Sequence, residues 1–340
     1  MMHQTKRRKP GESQVVSYSS KAAELHRHED ENGHENHGDA VVLEAHKGPV
    51  LAAKFNRDGS LLATGGMDRT IQLWAPSMDD ENHEVQVNVA SLQQHKKAVT
   101  SLAWLADVLV SASADATLGI WDTATDAPRK IRKLAGHSAV INQVASISDS
   151  TFCSVSDAGQ LKVWDYRDKS PVAGIRTEFP LLTSCAHNGS IYISGIDPRI
   201  SAFDMRKLDA PVWCVADQLD SVTSLSVSPD GSSLSSRSFD GLVWTYNITH
   251  ASTMPRVVRN FQGAPSGKEN WLIRTCFSNN NVNLLSGAED HSVVVWDQLS
   301  GALVAKLSGH EGAVLDLDYH PTLDVTVSSS TDGTAIVREV

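Results

Sequence analysis

Short apolar runs recur along most of the chain, and turn-forming residues separate them. Val108-Leu109-Val110 and Val293-Val294-Val295 are two of the runs, and Asp58-Gly59-Ser60 and Asp230-Gly231-Ser232 are two of the turns. Alternating or β-branched runs of this length predict β-strands, and the turn residues predict tight connections between them. Beyond the N-terminal tail the apolar positions show no helical period, so the pattern predicts an all-β protein.

The strand pattern repeats, and six of the seven repeats end in an aromatic residue. The successive ends are Trp74, Trp121-Asp122, Trp164-Asp165, Phe203-Asp204, Tyr246-Asn247, Trp296-Asp297 and Arg338-Glu339. The steps between them are 47, 43, 39, 43, 50 and 42 residues, and propeller blades repeat roughly every 40–45 residues. Seven such repeats predict a propeller of seven four-stranded blades around a central channel.

Two polar residue types hold fixed places within these repeats. An aspartate lies six residues before the repeat end at Asp68, Asp115, Asp197, Asp240, Asp290 and Asp332. A histidine lies further upstream in four repeats, at His46, His95, His137 and His310. With these residues, the chain resembles the WD-repeat (WD40) β-propeller family over about residues 39–340.

The resemblance implies a structural hydrogen-bond network within single blades. In the family, a histidine, a serine or threonine, the aspartate and the tryptophan of one repeat form a buried chain. The complete sets here are His46, Thr64, Asp68 and Trp74 in the first repeat, and His95, Ser111, Asp115 and Trp121 in the second. Later repeats depart from the pattern, with Ala158 at the aspartate position and Gln218 at a histidine position. The expectation of a network is therefore weaker in repeats three to seven.

The two ends of the chain predict how the ring closes. The last repeat supplies only three strands before Val340, and Ala40-Val41-Val42-Leu43 has no blade of its own. An open ring would expose strand edges. We predict that residues 40–43 pair with the last blade, so that the propeller spans residues 39–340.

Residues 1–38 differ in composition from the rest of the chain. They contain the basic cluster Lys6-Arg7-Arg8-Lys9, followed by polar and histidine-rich sequence. Low apolar content predicts a disordered tail. The basic cluster fits a nuclear import signal and a solvated terminus about equally well. The spacing of the tail histidines, His26, His28, His34 and His37, is not that of a folded metal site, so we expect no metal and no cofactor.

Charge, hydropathy and cysteine usage exclude several classes of protein. The net charge of −10 argues against sequence-blind binding to nucleic acid. The chain has no uncharged apolar run long enough to cross a membrane. Its four cysteines, Cys153, Cys185, Cys214 and Cys276, include no C-x-x-C pair, and we expect free thiols in a reducing compartment.

Two patterns suggest enzyme chemistry, and neither is complete. Ser111, His95 and Asp115 are the residue types of a hydrolase triad, but the same set recurs by position in another repeat. Residues 263–269, Gly-Ala-Pro-Ser-Gly-Lys-Glu, have three residues between the glycines, not four, and Glu269 where a phosphate-binding loop has Ser or Thr. They also precede Trp271-Leu272-Ile273, which we predict to be a strand. We therefore expect no catalytic residue, no small-molecule substrate and no enzyme.

A finer resemblance rests on residues 220–274. The run from Asp220 to Leu234 is followed by Phe261-Gln262-Gly263, then Lys268-Glu269-Asn270 and Trp271-Leu272-Ile273-Arg274. This succession is similar to the WD-repeat subunits of the spliceosomal U5 small nuclear ribonucleoprotein (snRNP). The resemblance implies a nuclear scaffold in pre-mRNA splicing. It would dock on the large U5 scaffold protein, near the U5 GTPase and other spliceosomal proteins, with at most a local contact to U5 snRNA.

Other scaffold roles remain open at this stage. A WD-repeat substrate receptor of a ubiquitin ligase would carry basic residues around the channel mouth for an acidic or phosphorylated segment. A histone-binding propeller is the other alternative.

Partner-binding residues are expected on the face that carries the aspartate turns. Candidates are Met67, Ala114, Asp157, Phe239 and Glu289, which immediately precede the aspartate position. Methionine and aromatic residues there would suit an interface core. On the same face, Lys47, Arg69, Lys96 and Lys97 form a basic group that we expect to meet RNA phosphate, an acidic partner segment or solvent alone.

Overall fold

The computed structural model describes residues 40–44, 46–78, 84–125, 127–249 and 254–340. These residues form 28 β-strands in seven four-stranded antiparallel sheets. The innermost strands contact one another in succession around a ring. The prediction of an all-β, seven-bladed propeller is confirmed. The predicted tail, with its basic cluster and histidines, lies outside the described residues.

Each blade is a meander that runs from the channel outward. Blade 1 contains β2 (Val50–Phe55), β3 (Leu62–Gly66), β4 (Thr70–Met78) and β5 (Glu84–Gln93). Blade 2 contains β6 (Val99–Leu105), β7 (Val108–Ser113), β8 (Thr117–Asp122) and β9 (Arg129–Ala135). Blade 3 contains β10 (Ile141–Ser146), β11 (Thr151–Ser156), β12 (Gln160–Asp165) and β13 (Ala173–Arg176). Blade 4 contains β14 (Leu181–His187), β15 (Ser190–Gly195), β16 (Ile200–Asp204) and β17 (Trp213–Val215).

The remaining three blades follow the same order. Blade 5 contains β18 (Val222–Val227), β19 (Ser233–Ser238), β20 (Val243–Asn247) and β21 (Arg256–Phe261). Blade 6 contains β22 (Thr275–Phe277), β23 (Asn283–Gly287), β24 (Val293–Asp297) and β25 (Leu303–Leu307). Blade 7 contains β26 (Val314–Tyr319), β27 (Val325–Ser330), β28 (Ala335–Glu339) and β1 (Ala40–Leu43).

Blade 7 joins the two ends of the described chain. Strand β1 lies antiparallel to β28, with Ala40 opposite Arg338 and Leu43 opposite Ala335. The side chain of Leu43 is 1% exposed and packs in one apolar cluster with Trp74 of blade 1. Each of the seven blades that the described residues form therefore has four strands.

Apolar layers between neighbouring blades form the core. Ile120 of blade 2 packs in one cluster with Ile141, Phe152 and Trp164 of blade 3, and equivalent clusters fill the other interfaces. Each layer removes two sheet faces from water, which is the main favourable term in folding. The core is thus divided into sectors, and each blade depends on its neighbours for burial.

Polar side chains also connect the innermost strands of adjacent blades. The backbone N–H of Leu225 donates to Thr183 Oγ1 at 2.8 Å, and that of Thr275 donates to Ser224 Oγ at 2.9 Å. Across the closure, the N–H of Ala53 donates to Asp316 Oδ2 at 3.1 Å. Because the channel-side strands lack a sheet partner on that side, these side chains satisfy amides that would otherwise be unpaired.

The outer strands carry bulges where they pass the repeat-end aromatic residues. The register of β5 shifts opposite Trp74, that of β21 opposite Tyr246 and that of β25 opposite Trp296. Each bulge turns an exposed valine outward, Val89, Val258 and Val304. Bulges on edge strands hinder pairing with a further strand.

The predicted strand over Trp271–Ile273 is wrong. Strand β22 begins at Thr275. The N–H of Ile273 donates to the carbonyl of Trp271, and the N–H of Arg274 donates to Leu315 of blade 7. The N–H groups of Ile273 and Arg274 are therefore used in a local turn and in a contact to blade 7, and pairing with β23 begins only at the carbonyl of Arg274, which accepts from the N–H of Gly287 at 3.4 Å.

Candidate docking face and its polar supports

One residue in each blade occupies an equivalent turn position on one face of the ring. The backbone N–H of each donates to a carbonyl in the segment that leads into the first strand of the same blade, as Met67 does to Pro49 and Phe239 to Ser221. The seven residues, which we call the turn ring, are Met67, Ala114, Asp157, Ile196, Phe239, Glu289 and Thr331. All five candidates selected from the sequence are therefore brought together in this ring.

Exposure differs around the turn ring. The side chains of Met67 and Ile196 are 50% and 44% exposed, and Asp157 is also exposed. Phe239 is half-buried, so it offers less apolar surface than its position suggested. Sequence reasoning missed Ile196 and Thr331, although both immediately precede an aspartate at the repeating position and that spacing could have found them.

The turn of blade 1 is held by a hydrogen-bond chain that ends at a tryptophan. Trp74 Nε1 donates to Thr64 Oγ1 at 3.0 Å, and Thr64 Oγ1 lies 2.9 Å from His46 Nε2. His46 Nδ1 is 3.1 Å from Asp68 Oδ1. Because the Asp68 carboxylate only accepts, the proton of the neutral imidazole is on Nδ1, and Nε2 then accepts from the hydroxyl to which the indole donates. Burial lowers the pKa of His46, although Asp68 raises it, and the lowered pKa favours this neutral form.

Blade 2 repeats the arrangement. Trp121 Nε1 donates to Ser111 Oγ at 3.0 Å, and His95 Nε2 lies 2.8 Å from the same hydroxyl. His95 Nδ1 is 3.5 Å from Asp115 Oδ1. Burial opposes ionisation of Asp115, but the amide of Lys96 and other donors outweigh it and lower the pKa of Asp115 to about 2.

The triad-like residues of blade 2 do not have the geometry of a catalytic nucleophile and its base. Ser111 is fully buried, and its hydroxyl is shared between the indole and the imidazole. A substrate carbonyl has no access to this oxygen. Ser111, His95 and Asp115 therefore have a structural role, which is to position a turn.

Blade 3 keeps most of the chain without the aspartate. Trp164 Nε1 donates to Ser154 Oγ at 2.8 Å, and His137 Nε2 lies 2.6 Å from that hydroxyl. Ser156 Oγ, 3.0 Å from His137 Nδ1, takes the place of the carboxylate. Burial lowers the pKa of His137 to about 4, and Lys162 adds to this effect.

Blade 5 rebuilds the chain from other residue types. Gln218 Nε2 donates to Ser236 Oγ at 2.7 Å and to Tyr246 Oη at 2.9 Å. Ser238 Oγ connects Gln218 Oε1 with Asp240 Oδ1, at 3.1 Å and 2.5 Å. A glutamine and a tyrosine thus fill the positions of histidine and tryptophan.

Blade 7 retains the histidine and the aspartate but has no indole. His310 Nε2 lies 2.9 Å from Ser328 Oγ, and Nδ1 lies 3.0 Å from Asp332 Oδ2. Arg338 stands at the tryptophan position, and its Nε is buried without a partner among the described residues. Turn anchoring by hydrogen bonds therefore extends to three blades whose sequences depart from the family pattern.

The basic group named from the sequence lies beside the turns of blades 1 and 2. The side chains of Lys47, Arg69, Lys96 and Lys97 are all exposed. The backbone N–H of Lys47 donates to Asp68 Oδ2 at 3.0 Å, and that of Lys96 to Asp115 Oδ2 at 2.8 Å. The two networks thus hold the backbone from which these cations project.

The phosphate-loop-like segment lies between blades 5 and 6 and covers a buried arginine. Arg237, 1% exposed, donates to Ser286 Oγ at 2.9 Å and to Ser266 Oγ at 3.1 Å. Glu289 Oε1 is buried near this cation without a hydrogen-bond partner among the described residues. The segment lies against this pair of blades, and its serine, Ser266, accepts a hydrogen bond from Arg237.

A cluster of three charged side chains lies on the innermost strands of blades 1 and 7. Lys54 Nζ lies 3.0 Å from Asp316 and 3.7 Å from Asp318. Burial raises the pKa of Asp318 to about 6 against the opposing effect of Lys54. A cavity of about 670 Å³ adjoins these residues on the face opposite the turn ring. Lys54 offsets one of the two carboxylate charges, and the backbone N–H groups of Ala53 and Phe55 donate to Asp316 and Asp318.

Arg274 spans the channel from blade 6. Its guanidinium donates to the carbonyls of Asn142 at 3.0 Å, Leu182 at 3.2 Å and Thr223 at 2.5 Å, and to Gln143 Oε1 at 3.0 Å. These acceptors belong to blades 3, 4 and 5. One side chain therefore ties four blades together, a role that its place in the sequence did not reveal.

The cysteines show no sign of disulfide or metal chemistry in the described part of the chain. All four cysteines are free thiols, and burial raises the pKa of Cys153 to about 12. In the described part of the chain, no three metal-ligating side chains converge. Nor does that part contain a helix with the length and apolar character that crossing a membrane requires.

Comparison with known families identifies the repeats. The model of the WD domain, G-beta repeat family, matches residues 40–75, 86–122, 128–165, 257–297 and 301–338. The matches leave out residues 166–256, where Phe203 and Tyr246 stand at the tryptophan positions. The chain belongs to the WD-repeat family.

Individual relatives align with nearly the whole propeller. Pre-mRNA-splicing factor cwf17 of Schizosaccharomyces pombe is 36% identical over 301 residues, covering 87% of this chain and 86% of that protein. The human U5 small nuclear ribonucleoprotein 40 kDa protein is 32% identical over 303 residues, covering 88% and 83%. Its Dictyostelium discoideum counterpart is 29% identical over 306 residues, covering 88% and 84%.

Proposed function

We propose that this protein is a non-enzymatic scaffold subunit of the spliceosomal U5 snRNP and acts in pre-mRNA splicing in the nucleus. The observation that carries the proposal is the 36% identity to a pre-mRNA-splicing factor over most of both chains. Similarity to proteins named as U5 components supports the choice of particle. A buried hydroxyl network that positions turns, without a reactive group, fits a binding role.

The turn ring is the proposed contact surface for the large U5 scaffold protein and the U5 GTPase. Met67 supplies an exposed apolar side chain on a turn that the blade 1 network holds, and Ile196 supplies another on the turn of blade 4, where its own N–H donates to Pro180. A fixed apolar contact loses little conformational entropy on binding, and interface cores favour such residues. Direct contact with U5 snRNA would be confined to the basic residues of blades 1 and 2, because the whole chain is acidic.

Gentle purification of the tagged full-length protein from nuclear extract tests the proposed function. Proteins and RNAs that accompany it are identified and quantified. The proposal predicts U5 snRNA, the large U5 scaffold protein and the GTPase in near-equal amounts. Recovery of a cullin adaptor or of histones without small nuclear RNA would contradict it and would favour the substrate-receptor or the histone-binding alternative.

A further inference from the structure

The basic surface beside blades 1 and 2 is larger than the sequence indicated. Lys130 and Lys133 lie on β9, the outer strand of blade 2, and both are exposed. Lys133 Nζ is 3.7 Å from Asp115 Oδ2, the oxygen that also accepts the backbone N–H of Lys96. The outer strand thus brings Lys133 close to the loop that carries Lys96 and Lys97.

The register of β9 places Lys130 in the same group. Lys130 lies opposite Trp121 and Lys133 lies opposite Gly119, so both lysines are on one face of the blade 2 sheet. Burial is the main cause of the low pKa of His95, and the charges of both lysines lower it further, in agreement with this placement. We call the six residues Lys47, Arg69, Lys96, Lys97, Lys130 and Lys133 the basic patch.

Among the described residues, the two aspartates next to the basic patch are turned away from solvent. Asp68 and Asp115 are only 11% and 6% exposed, and they point inward to backbone amides and histidines. Among the described residues, Lys133 is the one member of the patch with a carboxylate within 4 Å. The remaining positive charge faces solvent on a chain whose net charge is −10.

An apolar side chain lies within the blade 1 part of the patch. Met67 is 50% exposed and occupies the same turn as Arg69. The turn is bonded to the segment that carries Lys47, through the Met67 amide and through Asp68. Cations around an exposed methionine form the polar rim and apolar centre that protein interfaces use.

We propose that the basic patch binds an acidic segment of a partner protein, which places an apolar side chain against Met67. The inference rests on the proposed scaffold role and names the kind of segment that one sector of the turn ring accepts. RNA fits less well, because single-stranded RNA binding uses aromatic side chains that stack on bases. Among the described side chains of blades 1 and 2, no aromatic residue is exposed.

Fluorescence polarisation with the full-length protein tests the proposal. The probe is a labelled peptide of alternating Asp and Glu with one central leucine, and a uridine oligonucleotide of equal length is the competitor. The patch variant is Lys96→Glu with Lys130→Glu. The matched control is Lys169→Glu with Lys207→Glu, which changes net charge equally at exposed positions between the third and fourth strands of blades 3 and 4.

We expect the patch variant to weaken peptide binding about tenfold or more, and the control variant to change it less than about twofold. Met67→Ser should weaken binding severalfold without changing the salt dependence. Equal losses in the two charge variants would overturn the proposal, because net charge alone would then explain binding. Unchanged affinity of Met67→Ser for the peptide would overturn the assignment to an acidic protein segment. So would displacement of the labelled peptide by the uridine oligonucleotide at a lower concentration than unlabelled peptide requires.

Particle recovery measured with the same variants separates this inference from the proposed function. If the wild-type protein recovers U5 snRNA but peptide binding does not depend on the patch, the inference alone fails. If the patch binds the peptide but no U5 snRNA accompanies the protein, the proposed function fails.

Discussion

The hydroxyl at the centre of each tryptophan-containing network carries two hydrogen bonds. Thr64, Ser111 and Ser154 each accept from an indole, and Thr64 and Ser111 also donate to an imidazole whose other nitrogen faces an aspartate. All three are fully buried, where an unmade hydrogen bond costs far more than at the surface. The networks therefore fix the turn that follows the second strand, which is where the turn ring lies.

Replacing Asp115 with alanine should destabilise the protein by about 2–4 kcal/mol. The change leaves the buried His95 and the amides of Lys96 and Thr117 without their acceptor. Urea unfolding measures the cost. Asp149→Ala is the control, since that carboxylate is 75% exposed and pairs only with an exposed arginine; its cost should stay below about 1 kcal/mol. Equal costs would show that the blade 2 network does not support the fold.

His137 should make stability depend on pH between about 4 and 6.5. Its folded pKa, about 4, lies below the ordinary value of 6.5, so the unfolded chain takes up a proton first as pH falls. Its contribution is complete above pH 6.5 and is lost as pH falls toward 4. Between pH 7.5 and 5 the wild type should therefore lose about 2 kcal/mol more than His137→Gln. Glutamine fills the equivalent place in blade 5, at Gln218. Parallel pH dependence of the two proteins would contradict the prediction.

Local turn chemistry was predictable from the sequence, whereas substituted networks were not. Asn188-Gly189 indicates a two-residue hairpin turn, and the structure has φ values of 47° and 79° there, with His187 opposite Ser190. The sequence did not predict the network of Gln218, because this network requires Tyr246 Oη, 28 residues away, to lie within hydrogen-bond distance of the Gln218 side chain. A contact of this kind depends on the packing of two strands and a loop, which no local pattern encodes.

At the scale of elements, the channel-facing strands determine how blades are held together. Arg274 precedes β22 and reaches acceptors on three other blades. The sequence showed this arginine only as part of a resemblance, and it predicted the neighbouring strand incorrectly. Repeat patterns locate strands within a blade, but they do not report side chains that cross the ring.

Arg274→Met should cost about 2–4 kcal/mol, because three buried carbonyls lose their donor. Arg274→Lys should recover part of this loss, since an ammonium reaches fewer acceptors than a guanidinium. Thermal unfolding of both variants, with Arg256→Met as the exposed control on β21, makes the comparison. If Arg274→Met and Arg256→Met melt at the same temperature, the guanidinium does not tie the blades together.

At the scale of the whole molecule, the near-constant spacing of the repeat ends indicated seven repeats, whereas the family model matches five stretches. The aspartate spacing continues through Asp197 and Asp240, although Phe203 and Tyr246 replace tryptophan. Overall architecture was therefore predictable, because ring size depends on the number of repeats. Which side chains of the turn ring remain exposed was not predictable, because burial depends on tertiary packing, and Phe239 is half-buried whereas Met67 is exposed.

Closure of the ring through β1 makes the two ends of the propeller interdependent. Deleting residues 1–45 removes β1 and the buried Leu43, and it exposes the edge of β28. We expect this truncation to lower the melting temperature strongly or to abolish folding, whereas deletion of residues 1–35 leaves it unchanged. Melting curves of the two truncated proteins decide the matter, and equal melting temperatures would contradict a structural role for β1.

The most direct measurement compares how much U5 snRNA accompanies the wild-type protein and a turn-ring variant during purification from nuclear extract. The variant is Met67→Asp with Ile196→Asp, and the control is Leu299→Asp, an exposed apolar residue (82%) outside the turn ring. A scaffold that docks through the turn ring predicts severalfold less U5 snRNA with the variant and unchanged recovery with the control, at equal melting temperatures. Full recovery with the turn-ring variant would contradict docking through this face.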